Sequence, residues 1–96
     1  MKQAHVYILA STRNGTLYVG VTSQLVQRIW QHKNHAIEGF SQRYKVDQLV
    51  WFESHESMEV AILREKQIKS GSRKRKLDLI EAMNPAWRDL YEDILG

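Results

Sequence analysis

Apolar positions along the chain follow two rhythms. His5 to Ala10 (His-Val-Tyr-Ile-Leu-Ala) and Thr16 to Val21 (Thr-Leu-Tyr-Val-Gly-Val) are rich in β-branched and aromatic residues, which predicts two strands. Ser11-Thr12-Arg13-Asn14-Gly15 lies between them. Asn and Gly both tolerate positive φ, so a tight antiparallel hairpin is expected. The rhythm then becomes helical. Leu25, Val26, Ile29 and Trp30 form an apolar stripe on a helix from about residue 24 to 34, with Thr22 or Ser23 as N-cap. Ile37 to Lys45, which includes Gly39, Phe40 and Tyr44, has loop character, and Gln48 to Glu53 predicts a third strand.

Ser54 or Ser57 opens a second helix running to about Lys69, and Ser70-Gly71-Ser72 breaks it. Arg73 to Met83 predicts a third helix. Asn84-Pro85 ends it, because the residue before a proline disfavours the helical region. Trp87, Leu90, Tyr91 and Ile94 recur at i, i+3, i+4 and i+7 and predict a last short helix. The order β-β-α-β-α-α-α corresponds to an α+β fold, a small three-stranded antiparallel sheet flanked by helices. Trp30, Trp51, Phe52 and Trp87 are expected in the core.

The 96 residues are expected to form a single domain, 1–96. The absence of cysteine removes disulfides, thiolate metal ligands and a thiol nucleophile. The longest apolar run, Val6 to Ala10, is too short to span a bilayer, so no membrane role is expected. No signal-peptide core precedes the first strand, and a cytoplasmic monomer is expected. Charge is unevenly spread. Arg64 to Lys76 carries Arg64, Lys66, Lys69, Arg73, Lys74, Arg75 and Lys76 against one acid, Glu65. Such a run is either a solvated helix face or a surface for a polyanion such as nucleic acid.

Glu65 stands in an unusual place. Met58, Ala61, Ile62 and Ile68 share one arc of the second helix, and Glu65 falls in its middle. A carboxylate there faces the core side, where it needs a partner. It is either the ion-pair partner of a base such as Arg28, or a metal ligand or catalytic carboxylate.

The two strands carry His5-Val6-Tyr7 and Tyr18-Val19-Gly20, with ten residues between the tyrosines. Arg28 follows ten residues after Tyr18, and His32 lies one helical turn further. With Glu65 on a later helix and Asn84 near the end, this ordered set resembles the GIY-YIG endonucleases, in particular their small stand-alone bacterial branch. The first glycine of the signature is replaced by His5. The resemblance implies a catalytic set of Tyr7, Tyr18, Arg28, His32, Glu65 and Asn84. It also implies Mg²⁺ or Mn²⁺ held by Glu65, and a DNA substrate, structured or non-specific duplex, cleaved by phosphodiester hydrolysis, in a setting such as repair or recombination.

In that chemistry Arg28 offers a planar, permanently charged fork to phosphate. A tyrosine with a reference pKa of about 10 acts as base at neutral pH only if positive charge lowers it. The metal, Arg28 and a protonated His32 are the expected sources, and either tyrosine qualifies. Arg73, Lys74, Arg75 and Lys76 are the expected phosphate-backbone contacts. The competing functions are a non-cleaving nucleic-acid-binding module of the same fold and a domain whose basic segment binds an acidic protein.

Overall fold

Strand β1 (Ala4–Ala10) is apolar at almost every position because it has neither a free edge nor a free face. It is the middle strand of a three-stranded sheet, with β2 (Leu17–Thr22) on one side and β3 (Gln48–His55) on the other, both antiparallel to it. Strands covered on both faces lose the apolar–polar alternation. The computed structural model describes residues 3–34, 36 and 44–96. Its helices are α1 (Leu25–Lys33), α2 (Met58–Ser70), α3 (Arg73–Met83) and α4 (Tyr91–Leu95). The element order is the expected one, and the class is α+β. Apart from Tyr44 and Lys45, the loop expected at 37–45 lies outside the described residues.

The sheet separates two apolar clusters. On one side Val6, Ile8, Ala10 and Val19 meet Ala61 and Ile68 of α2, Ile80 of α3, and Trp87. On the other side Tyr7 and Leu9 meet Leu25 and Ile29 of α1, together with Val46, Leu49 and Leu90. The β1–β3 register shifts between Ile8 and Leu9, where Val50 is the extra residue of a bulge. The β1–β2 turn closes with Gly15 N–H donating to Thr12 O (2.9 Å) and Ser11 N–H to Thr16 O (3.0 Å). Asn14 takes the positive φ, 59°.

Four local expectations are corrected. Helix α1 has Gln24 at its N-cap position with no side-chain cap. Thr22 is the last residue of β2, and its Oγ1 instead accepts from Gln24 N–H at 3.0 Å. Trp30 is 52% exposed and does not join the core, because α1 buries Leu25, Ile29 and His32. Strand β3 continues through Ser54 and His55, so Ser57 is the cap of α2, accepting from Val60 N–H. Trp87 is not helical. Its φ of 56° makes a turn, and α4 begins only at Tyr91. Trp87 and Leu90 consequently enter opposite clusters.

The segment between α3 and α4 is stitched to β3. Buried Asn84 donates through Nδ2 to Val50 O (3.2 Å) and Arg88 O (2.7 Å), and its Oδ1 accepts from Arg88 N–H (3.1 Å). Leu90 N–H donates to Leu49 O at 2.7 Å, and Asp89 Oδ1 accepts from Leu49 N–H. Lys33 of α1 closes the other side as the ion-pair partner of Asp89. Asn84→Ala strands a buried carbonyl, so it is expected to lower unfolding free energy by about 1–3 kcal/mol in a urea melt. Asn84→Asp should cost more than Asn84→Ala at neutral pH, because it turns a buried carboxylate oxygen toward the carbonyls of Val50 and Arg88.

Candidate active site

Tyr7 and Tyr18 project from one face of the hairpin because Tyr7 is paired with Gly20, and Tyr18 precedes Gly20 by two. A Cβ at residue 20 would lie 2.4 Å from both Cζ and the hydroxyl oxygen of Tyr7, so glycine is what allows the ring to cross β2 there. The Tyr7 ring is 2% exposed, and its hydroxyl meets His32 Nε2 at 3.0 Å. Tyr18 completes a three-ring cluster, with ring centroids 6.4 Å from Tyr7 and 5.4 Å from His32. His32 comes from α1, where Leu25 and Ile29 are buried on the same side and turn it inward.

Arg28 lies one turn before His32, beside a polar groove of about 250 Å³ shared with Thr22, Ser23, Gln24, Gln27 and Gln31. The guanidinium has no ion-pair partner among the described residues. Arg28 is therefore not the base that pairs with Glu65. Glu65 is nevertheless largely buried, with its side chain 14% exposed, and its partner is Lys69 of the same helix, at 3.2 Å from Oε2. The Lys69 ammonium also stands 6.0 Å from the Tyr18 ring centroid. Arg28 and Glu65 act in opposite directions on the Tyr7 phenol, the guanidinium lowering its pKa and the carboxylate raising it.

The protonation states differ from the sequence expectation. Burial pushes the Tyr7 phenol well above the usual tyrosine range, and the neighbouring Tyr18 adds to this; Arg28 opposes the rise without reversing it. Burial, with Arg28 second, pushes His32 down from 6.5 to about 4. His32 is thus neutral at pH 7, and the protonated His32 expected to activate a tyrosine is not the resting state.

No group of three or more His, Asp or Glu side chains among the described residues could enclose a metal ion. The donor set is instead one carboxylate at the edge of the tyrosine cluster. This fits a hydrated hard cation such as Mg²⁺, which keeps most of its waters and binds through one or two carboxylates plus substrate oxygens.

The structure brings together Tyr7, Tyr18, Arg28, His32 and Glu65. Asn84 has its amide committed to backbone atoms, in a groove with Phe52, Pro85 and Arg88. The basic segment is divided. Arg73 donates to Asn14 O (2.8 Å) and Gly15 O (2.7 Å), and Lys76 donates to Gly71 O (2.7 Å). Lys74 pairs with Asp78, both exposed, and Arg75 lines a groove of about 250 Å³ between α2 and α3. Gly20, part of the Tyr18-Val19-Gly20 signature, gains a steric role from its pairing with Tyr7. Lys69 is a site residue that the sequence places only in the basic run, although its i+4 spacing from Glu65 is the signal for it.

Comparison with known proteins finds relatives over most of the chain. A profile of the GIY-YIG catalytic domain matches residues 3–78. A UPF0213 protein of Staphylococcus saprophyticus is 32% identical over 80 residues, covering 83% of this chain and 96% of that one. The solution NMR structure of a UPF0213 protein from Bacillus halodurans superposes with a TM-score of 0.56 at 25% identity, covering 91% of this chain and 92% of that one. No helix among the described residues is long and apolar enough to cross a membrane.

The folded His32 pKa lies below its unfolded value. The histidine contribution to stability is therefore complete above pH 6.5 and is lost as pH falls toward 4, because only the unfolded chain binds the proton in that window. Thermal melts should fall across this range and flatten below it, and His32→Gln should remove this component. Titration of the His32 ring protons by NMR should give a midpoint near 4.

Proposed function

The chain belongs to the GIY-YIG family, a family of nucleases, and from the site it carries we propose that it is a metal-dependent DNA endonuclease hydrolysing phosphodiester bonds. The observation that carries this reading is the Tyr7–His32 hydrogen bond at 3.0 Å, with Tyr18, Arg28 and Glu65 gathered around it.

A buried phenol with a raised pKa is a poor base alone. Paired with a neutral imidazole it has a route for its proton. With His32 as the Nδ1–H tautomer, Nε2 accepts the Tyr7 hydroxyl proton while the Tyr7 oxygen takes a proton from the attacking water. The depressed His32 pKa keeps that lone pair available at neutral pH. Tyr18, at the more exposed side of the cluster, orients water or phosphate. Arg28 holds the phosphate through its fork, since no protein carboxylate among the described residues competes for it. Glu65 would hold Mg²⁺ or Mn²⁺, and when bound the ion supplies Lewis-acid stabilisation of charge on the phosphate and the leaving 3′ oxygen. Lys74 and Arg75 carry outward charge suited to sequence-independent contact with the DNA backbone.

The test is Mg²⁺-dependent cleavage of linear, flapped and branched DNA, with EDTA as control. Tyr7→Phe and Glu65→Gln are each expected to reduce cleavage by at least about a hundredfold. Glu65→Gln should leave the melt in EDTA within about 0.5 kcal/mol of wild type, since it removes a one-turn pair to an exposed lysine and strands no buried cation. DNA binding without metal-dependent cleavage of any substrate would identify a non-cleaving module.

A further inference from the structure

Lys69 touches two candidate catalytic groups from different elements and has no role in the mechanism above. Its ammonium lies 3.2 Å from Glu65 Oε2 and 6.0 Å from the Tyr18 ring centroid. The burial of the pair is unequal, with the lysine side chain 52% exposed and the carboxylate 14%. The counter-ion therefore reaches the carboxylate from the solvent side, by which a hydrated cation also arrives. An ammonium and a divalent cation on one carboxylate repel each other and compete for the same oxygen lone pairs. The lysine can yield, because its four-carbon stem is flexible and its side chain is half exposed.

We propose that Lys69 is the resident counter-ion of Glu65, that a divalent cation displaces it, and that the displaced ammonium then contacts a phosphate oxygen beside Tyr18. This rests on the reading of Glu65 as the metal anchor. Lys69 thereby has two opposed effects. It weakens metal binding to the free protein, and it strengthens the hold on substrate once the metal is in place. A lysine serving only the helix would do neither.

The probe is Mn²⁺ alone, titrated calorimetrically at low salt into the wild-type chain and the Lys69→Met, Lys69→Arg and Glu65→Gln variants. Lys69→Met is expected to bind Mn²⁺ about fivefold more tightly. Its cleavage at saturating Mn²⁺ should fall at least about tenfold, from loss of a charged phosphate contact. Lys69→Arg keeps the charge and should keep the wild-type Mn²⁺ affinity. The gain in Lys69→Met should shrink at high salt, because the lysine is exposed. Unchanged or weaker Mn²⁺ binding by Lys69→Met, alongside loss of binding in Glu65→Gln, overturns the counter-ion assignment and leaves the metal anchor standing. Wild-type Mn²⁺ binding by Glu65→Gln overturns the anchor itself, and this inference with it.

Discussion

Strand β1 is the middle strand of the sheet, and Tyr7 carries a hydroxyl from it into the core, away from water. That hydroxyl has to be satisfied from within, and His32 does it. The requirement reaches outward from there. Position 20 must lack a Cβ for the ring to lie where it does. Helix α1 must pack through Leu25 and Ile29 so that His32 faces the sheet. The polar centre of the candidate site and one of the two apolar clusters are therefore assembled by the same contacts.

Burial and charge are arranged in layers around this pair. Inside, burial raises the phenol pKa and lowers the imidazole pKa, so both partners are neutral and a proton can be shared without creating a buried ion at rest. At the rim, Arg28 lines a polar groove, and the Glu65–Lys69 pair meets water through the half-exposed lysine. In the proposed mechanism, proton transfer belongs to the interior and contact with phosphate and cation to the edge. The division avoids the large desolvation penalty of an enclosed ion.

The basic run from Arg64 to Lys76 shows how a charge pattern divides once folded. Arg73 holds the hairpin turn through two backbone carbonyls, and Lys76 satisfies a carbonyl where α2 gives way to α3. Arg64 is tied to Glu53. What faces outward is a subset of the run, with Lys74 and Arg75 at its centre. The positive charge is still present for a polyanion, but several of its donors already serve the fold.

Much of the fold was legible in the chain because strands, caps and breaks are encoded by neighbours a few positions apart. The hairpin, the bounds Arg73–Met83 of α3 and the break at Ser70-Gly71-Ser72 all follow from such spacing. The arc around Glu65 holds in part: Ala61 and Ile68 are buried with it, whereas Met58 and Ile62 are exposed. The set Tyr7, Tyr18, Arg28, His32 and Glu65 was legible as a resemblance. The rest depended on partners far along the chain. Tyr7 and His32 are 25 residues apart, Val50 and Asn84 are 34 apart, and Lys33 and Asp89 are 56 apart. Local spacing carries no information about which of these groups meet, so it misplaced Trp30 in the core and extended the last helix back to Trp87. It also expected positive charge to lower the tyrosine pKa, whereas burial between packed elements raises it at Tyr7. Local spacing carries the order of elements and the chemical character of the site; which groups are dry, which are paired and therefore which protons are held depends on the folded chain, because desolvation and pairing exist only once distant segments have closed around them.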